Sequence, residues 1–497
     1  MSLTDLDAVE VVARMSRGEL SVVDYATALL ERCEAAKSLN AFITLDPQRV
    51  LRDARARDRE LREGKPPGPL FGLPVPVKDS VNTCDYPTTA GTPALRNFRP
   101  KEDAPIVARL RAAGAIVLGK TNLHELSYGW TSRNLSFGAV RNPYDPTRIP
   151  GGSSGGTAAA IAARCAPLGI AADTEGSIRV PAALCGIAGL RPTTGRYATT
   201  GCVPIAALFD QVGPHARSVG DLVLFDTVAA AQGEPAAAGD APPARAAQPH
   251  LDGVRLDGVR LGVVRDHWFA DLDPEVGRLT ELALARLRDA GAVLVESALP
   301  GLQALIDRAT AQVQNHDVRI ELPQFLEAHR AGVSFGEVIA AASPDIQALF
   351  RSDILPGGGN FVSEPAYAAA RDEVLPALRR LFREYFAREH VEAMVFPATM
   401  LPAPRIGDED LVEVAGRTLP FATAIARNIS PGSTAGLPGL VLTAGLTREG
   451  LPAGLEFDGP AGSDRRLLTL GLALERALGR LPPPGPPLHS VTGGNVP

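Results

Sequence analysis

The sequence predicts an α/β fold, a large twisted mixed β-sheet covered by helices on both faces. Strand-length apolar runs such as Leu168 to Ala171 and Leu440 to Thr443 alternate along the chain with stretches of helical period. These runs are continuously apolar, as suits strands buried on both faces. Apolar residues make up 45% of the 497 positions and charged residues 21%, a balance that belongs to a globular protein with a large core. No composition shift is strong enough to split the chain, so residues 67–480 are read as one domain. Residues 1–66 form a helical N-terminal segment of it, residues 300–390 a helical cap, and residues 481–497 a loosely ordered tail.

Each element has its own signal. Leu6, Val9, Val12 and Ala13 recur at helical spacing, as do Tyr25, Leu29 and Cys33. Gly18 separates the two helices, and Ser21 is a candidate cap for the second, with Asp24 three residues on. Arg49 to Arg62 is dense in Arg, Asp and Glu and reads as a solvated helix. After a Pro/Gly break at residues 64–69, Leu73 to Asp79 reads as a strand running into a loop. A helix at Ala104–Ala113 and a strand at Ala115–Gly119 follow. Thr157 to Cys165 is an Ala-rich helix without Pro or Gly. Gln232 to His250 is an Ala/Pro/Gly-rich surface loop, and LDGVR then occurs twice in tandem before a strand at Leu261–Val264. Further on come a helix at 275–290 and a strand at Ala292–Glu296. Residues 300–390 are mostly helical, broken at Pro356–Asn360, and Met394–Pro397 reads as a strand. Asp464 to Leu478 closes the fold as an amphipathic helix.

The chemistry concentrates between Pro150 and Pro181. Ser153 and Ser154 lie inside Gly151-Gly152-Ser153-Ser154-Gly155-Gly156, and Ser177 lies in Thr174-Glu175-Gly176-Ser177-Ile178-Arg179. A helix and a strand separate the two sites, so a chain reversal between them brings both serines to one end. Glycine-rich loops expose backbone N–H groups that form an anion-binding hollow. A serine beside such a hollow has a nucleophile and an oxyanion hole together. No His or Asp pair accompanies either serine at short range to act as the base. Lys78 ends an apolar run, where a buried lysine with its pKa lowered by desolvation could serve as one; an ion pair with Asp79 is the plainer alternative.

These motifs resemble the amidase signature hydrolases. The likeness rests on GGSSGG, the helical spacer, DT-x-GSIR-x-PA and GLRPTTGR from Gly189 to Arg196. It extends to GLPVPVKDS at residues 72–80, Gly119-Lys120-Thr121-Asn122 and Gly450-Leu451-Pro452-Ala453-Gly454-Leu455. AGTPALR, GAVRNPYDP and RIPGGSSGG look like the indoleacetamide and mandelamide hydrolase branch. The resemblance implies the amidase signature fold and a triad in which Ser177 is the nucleophile, Ser153 the bridging serine with a cis peptide bond, and Lys78 the base. It implies backbone N–H donors at Thr174, Glu175, Gly176 and Ser177 for the oxyanion, and a substrate pocket bordered by Ser127, Tyr128 and Trp130. The implied substrate is a small aryl or arylalkyl amide, cleaved through an acyl-enzyme. Carbamates (a urethanase activity) and anilides use the same machinery. The amidase component of a tRNA-dependent amidotransferase shares the motifs and is a further alternative. The sequence departs from the family at Glu175, where relatives carry Gly. A carboxylate there is expected at negative φ, turned from the Ser177 hydroxyl or paired with Arg179 or Arg191.

Other readings are weaker. Gly151-x-Ser153-x-Gly155 satisfies the nucleophile-elbow pattern, but the three prolines in residues 142–150 bar the central strand that the elbow needs. Gly119-Lys120-Thr121 lacks phosphate-loop spacing, so no nucleotide is expected. The eight histidines form no HExxH and the five cysteines no CxxC, so neither a metal nor another cofactor is expected, and the cysteines read as small buried residues. A net charge of −6 argues against a nucleic-acid surface. No run approaches the ~20 apolar residues of a membrane span, and the N-terminus lacks a signal pattern, so a cytoplasmic location is expected. The expected partners are a small-molecule amide or carbamate and a second copy of the chain in a homodimer.

Overall fold

The computed structural model describes residues 2–230, 253–408 and 410–485. The Gln232–His250 loop, the start of the first LDGVR copy and most of the tail lie outside these residues.

An eleven-stranded mixed sheet organises the described residues. Its strands are β1 (Phe42–Leu45), β2 (Pro74–Lys78), β3 (Ile116–Thr121), β4 (Leu168–Asp173), β5 (Ala188–Arg191), β6 (Gln211–Ala216), β7 (Arg260–Val263), β8 (Val293–Glu296), β9 (Ala393–Pro397), β10 (Gly439–Leu446) and β11 (Pro452–Asp458). They are ordered β1-β3-β2-β4-β6-β5-β10-β11-β9-β7-β8. β3, β2 and β4 run parallel, as do β9, β7 and β8, and the strands between are joined antiparallel. Every residue of β2, β3, β9 and β11 is buried. Successive side chains of a strand point to opposite faces, so such burial requires cover on both. The expected α/β architecture is therefore present.

The N-terminal helices are Ala8–Ser16, Val22–Ala35 and Pro47–Arg62. The Ser21 hydroxyl accepts the Asp24 N–H at 3.1 Å, the expected cap. The third helix buries only Val50 and Ala54, as expected of a solvated helix. The segment is not wholly helical, however. Phe42–Leu45 pairs antiparallel with β3 at the sheet edge. Four residues are too few to show a period, and only pairing reveals the strand.

Residues 302–389 form a helical layer, including Thr310–Ala328 and Leu375–Glu389. Two apolar clusters hold this layer to the rest of the molecule: Val318, Leu322 and Phe350 pack with Leu95 and Phe98, and Val313 and Val374 with Ile205 and Phe209. Among the cysteines, Cys33, Cys165 and Cys185 are buried, but Cys202 is only partly covered and Cys84 is exposed. Cys84 sits in the loop after β2 and follows no apolar pattern that would draw it inward.

Candidate active site

Parallel pairing of β2 with β4 brings their carboxyl ends to one side of the sheet, where ligands bind in open α/β folds. Lys78 is the last residue of β2, and the loop after β4 carries Ser177. The helix Gly155–Ala162 starts directly behind Ser154, so the glycine loop before it enters the same corner. A Cβ at Gly152 would stand 2.8 Å from the Trp130 carbonyl carbon, which is why this approach needs glycine. The Gly152–Ser153 peptide is cis.

Lys78 and Ser153 are fully buried, and Lys78 Nζ donates to Ser153 Oγ at 2.7 Å. Lys78 Nζ also donates to the Ala172 carbonyl at 3.4 Å. Burial pulls the Lys78 pKa down to about 7, against the raising influence of Asp173 and Asp210. The alternative ion pair of Lys78 with Asp79 does not form. Asp79 is 3.0 Å from Lys120 instead, with Thr89 as a further partner. The Ser153 carbonyl accepts from the His124 N–H at 3.1 Å and the Ser132 hydroxyl at 3.2 Å. Ser154 N–H donates to the Ser177 carbonyl at 3.3 Å, which joins the two serine loops.

The Ser177 loop turns around Asp173. Its carboxylate accepts Gly176 N–H at 2.7 Å and Ile178 N–H at 3.0 Å. Arg179 Nε lies 3.1 Å and Arg191 Nη1 3.0 Å from the same carboxylate, all fully buried. Despite its burial, these two guanidinium groups hold the Asp173 carboxyl well below the usual range. Gly176 takes the positive φ of this turn, +92°, and a Cβ there would meet Ile429 Cγ2 at 2.6 Å. Glu175 keeps negative φ, as expected. Trp130 Nε1 donates to the Glu175 carbonyl at 2.7 Å. The peptide group joining Glu175 to Gly176 is thus held at both its oxygen and its N–H. Among the described residues the N–H groups of Thr174, Glu175 and Ser177 make no hydrogen bond, whereas that of Gly176 is committed to Asp173.

Ser177 opens onto a cavity of about 550 Å³ whose walls include Ser127, Tyr128, Trp130, Thr174 and Glu175. All three expected pocket residues therefore border it. The Glu175 carboxylate accepts from Gln314 Nε2 at 2.8 Å and from the Ser430 hydroxyl. Neither is a cation. The expected partners Arg179 and Arg191 are instead spent on Asp173, because that carboxylate stands between them at the end of β4. Gln314 and Ser430 lie in separate helices, Thr310–Ala328 and Ser430–Ala435, and no local pattern points to either.

The Amidase family profile matches residues 24–468. The chain belongs to the amidase family. It is a hydrolase acting on amide C–N bonds. Over 470 residues it is 39% identical to an indoleacetamide hydrolase of Agrobacterium vitis, covering 94% of this chain and 96% of that one. It is 36% identical over 501 residues to a mandelamide hydrolase of Pseudomonas putida, with 97% and 93% coverage. A crystal structure of a peptide amidase with the competitive inhibitor chymostatin superposes with a TM-score of 0.81 at 32% identity, covering 96% of this amidase and 99% of that chain.

One group of possible metal ligands occurs among the described residues: Cys84, Asp85 and Asp103. Arg111 already lies 2.7 Å from Asp85 and 2.9 Å from Asp103, and Arg49 3.5 Å from Asp85, so two cations of the amidase already balance these two carboxylates. No helix among the described residues is long and apolar enough to cross a membrane.

Proposed function

We propose that this amidase is a serine amidohydrolase that cleaves small aryl or arylalkyl amides through an acyl-enzyme, with Ser177, Ser153 and Lys78 as its triad. The observation that carries this reading is the buried Lys78 Nζ–Ser153 Oγ contact of 2.7 Å beneath the cavity onto which Ser177 opens. A lysine with a pKa of about 7 is largely neutral under mildly alkaline conditions, and so can accept a proton. Ser177 Oγ attacks the amide carbon, its proton passes to Ser153 Oγ, and that of Ser153 passes to Lys78 Nζ. The oxyanion is held by the uncommitted N–H groups of Thr174, Glu175 and Ser177. Losing one such donor typically costs about 3 kcal/mol of transition-state stabilisation. The C–N bond then breaks as the relay returns a proton to the leaving nitrogen. Water attacks the resulting ester, transfers its proton along the same relay, and releases the acid and Ser177.

The aryl preference rests on the indoleacetamide and mandelamide hydrolase relatives and on the aromatic walls formed by Tyr128 and Trp130. A hydrolysis screen of the purified chain over primary aryl amides, anilides and carbamates tests it. Turnover of a primary aryl amide by the chain alone, with Ser177 as the residue modified by a sulfonyl fluoride, is the expected result. Activity that requires further protein components would place the chain with the tRNA-dependent amidotransferases instead.

A further inference from the structure

The substrate cavity is acidic. Glu175, Asp307 and Asp353 stand in its walls, and no Lys, Arg or His stands among the described residues that line it. Glu175 is the central feature. Its two oxygens accept one hydrogen bond each, from Gln314 and Ser430, both neutral donors. A carboxylate offers about four lone-pair sites, so acceptor capacity remains. The two partners also fix the carboxylate in place, as a built acceptor requires.

A second observation points to a ligand. The hydroxyl oxygen of Tyr128, a residue of the same cavity wall, is buried and has no hydrogen-bond partner among the described residues. A buried hydroxyl without a partner is costly, and a bound molecule that supplies one removes the cost. Burial, and then the nearby charges of Asp210, Asp317 and Glu321, push its pKa well up, so it stays a neutral hydroxyl. A cleft lined by one sign of charge draws the opposite sign into it.

We infer that Glu175, with Asp307 and Asp353 at the cavity wall, selects amides whose organic part carries an ammonium or other strong N–H donor, and rejects those carrying a carboxylate. Glu175 is then a specificity-determining residue at a position where the family resemblance leads one to expect glycine. The inference rests on the amidase reading above and narrows its substrate class.

The experiment compares three arylacetamides of one size on the purified full chain: unsubstituted, para-aminomethyl and para-carboxymethyl. The expected kcat/KM is about tenfold higher for the ammonium compound than for the neutral one, and about tenfold lower for the carboxylate, the scale of a charge-assisted contact. Glu175→Gln should bring the ammonium-to-neutral ratio towards one. Should that variant not fold, the Asp307→Asn/Asp353→Asn double variant reads the same ratio and should lower it several-fold, since opposite-charge attraction scales with the wall charge. Equal or lower kcat/KM for the ammonium compound in the unmodified protein, or a ratio that none of these variants moves, overturns the proposal. If no amide is hydrolysed, the amidase reading fails by itself. Calorimetry with benzylammonium against benzyl alcohol then still decides the charge preference, and equal affinity for the two overturns it.

Discussion

The Lys78 side chain sets the behaviour of the whole site. Its folded pKa, about 7, lies below its ordinary value because burial penalises the charged form. In the proposed triad catalysis needs the neutral amine, so kcat/KM should be low in acid and rise with pH through about 7; a profile flat from pH 6 to 9 would count against Lys78 as the base. The stability effect has the same sign. The unfolded chain binds more protons than the folded one between about 7 and the ordinary lysine value of about 10.4, so the Lys78 contribution to stability improves as pH rises across that window. Lys78→Met, which removes the charge and keeps the packing, should therefore raise the Tm measured at pH 6 while abolishing turnover. Ser177→Ala, Ser153→Ala and Lys78→Ala should each cost about 10³-fold or more in kcat and remain folded by circular dichroism, as members of one catalytic unit do. The Ser153→Ala/Lys78→Ala double variant should fall little below either single. Multiplicative losses would mean that the two residues do not act as one relay.

At the scale of elements, the site is a meeting of two loops and one strand end. The helix Gly155–Ala162 and strand β4 form a reversal whose open end joins the two serine loops through the Ser154 N–H and the Ser177 carbonyl. The loop after β4 is then fixed from outside the reversal. Trp130, which the resemblance placed at the substrate, also donates to the Glu175 carbonyl. Trp130→Phe keeps an aromatic wall and removes this bond. A neutral hydrogen bond is worth about 1 kcal/mol net, so kcat should fall about fivefold as the proposed oxyanion donors loosen. A change in KM alone would assign Trp130 to substrate contact only. Steady-state kinetics on one neutral amide separates the two.

For the whole molecule, the buried network around Asp173 ties the Ser177 loop to strand β11. Arg179 joins Asp173 to Glu456 of β11 and to Ser433, and Arg191 reaches the Phe209 and Ser433 carbonyls. Breaking a buried pair by removing one partner costs about 3–5 kcal/mol, because the other charge stays buried and unpaired. Arg179→Met should lower unfolding free energy by that amount in urea titration and reduce activity with it, since the loop loses its anchor. A stability within about 0.5 kcal/mol of the unmodified chain, the range of ordinary surface substitutions, would show the network to be dispensable.

How much was legible in the sequence follows from distance along the chain. The serine loops, the apolar strand run ending in Lys78 and the alternation of strands and helices are local patterns, and local sterics and hydrophobic period decide them. The burial and lowered pKa considered for Lys78 follow from one charged residue closing an apolar run. The environment of Glu175 was not legible. Its acceptor contacts come from Gln314, 139 positions away, and Ser430, 255 positions away. Arg179 and Arg191, near it in sequence, turned to Asp173 because a fully buried carboxylate between two guanidinium groups gains more from them than a half-buried one at the cavity wall. The strand Phe42–Leu45 exists because β3 offers it an edge, and Asp307 and Asp353 reach the cavity that Ser177 lines because the helical layer brings them there. Local sequence determined which residues could carry the chemistry. Tertiary packing alone decided which charges line the cavity, because desolvation and pairing depend on neighbours that the chain order does not name.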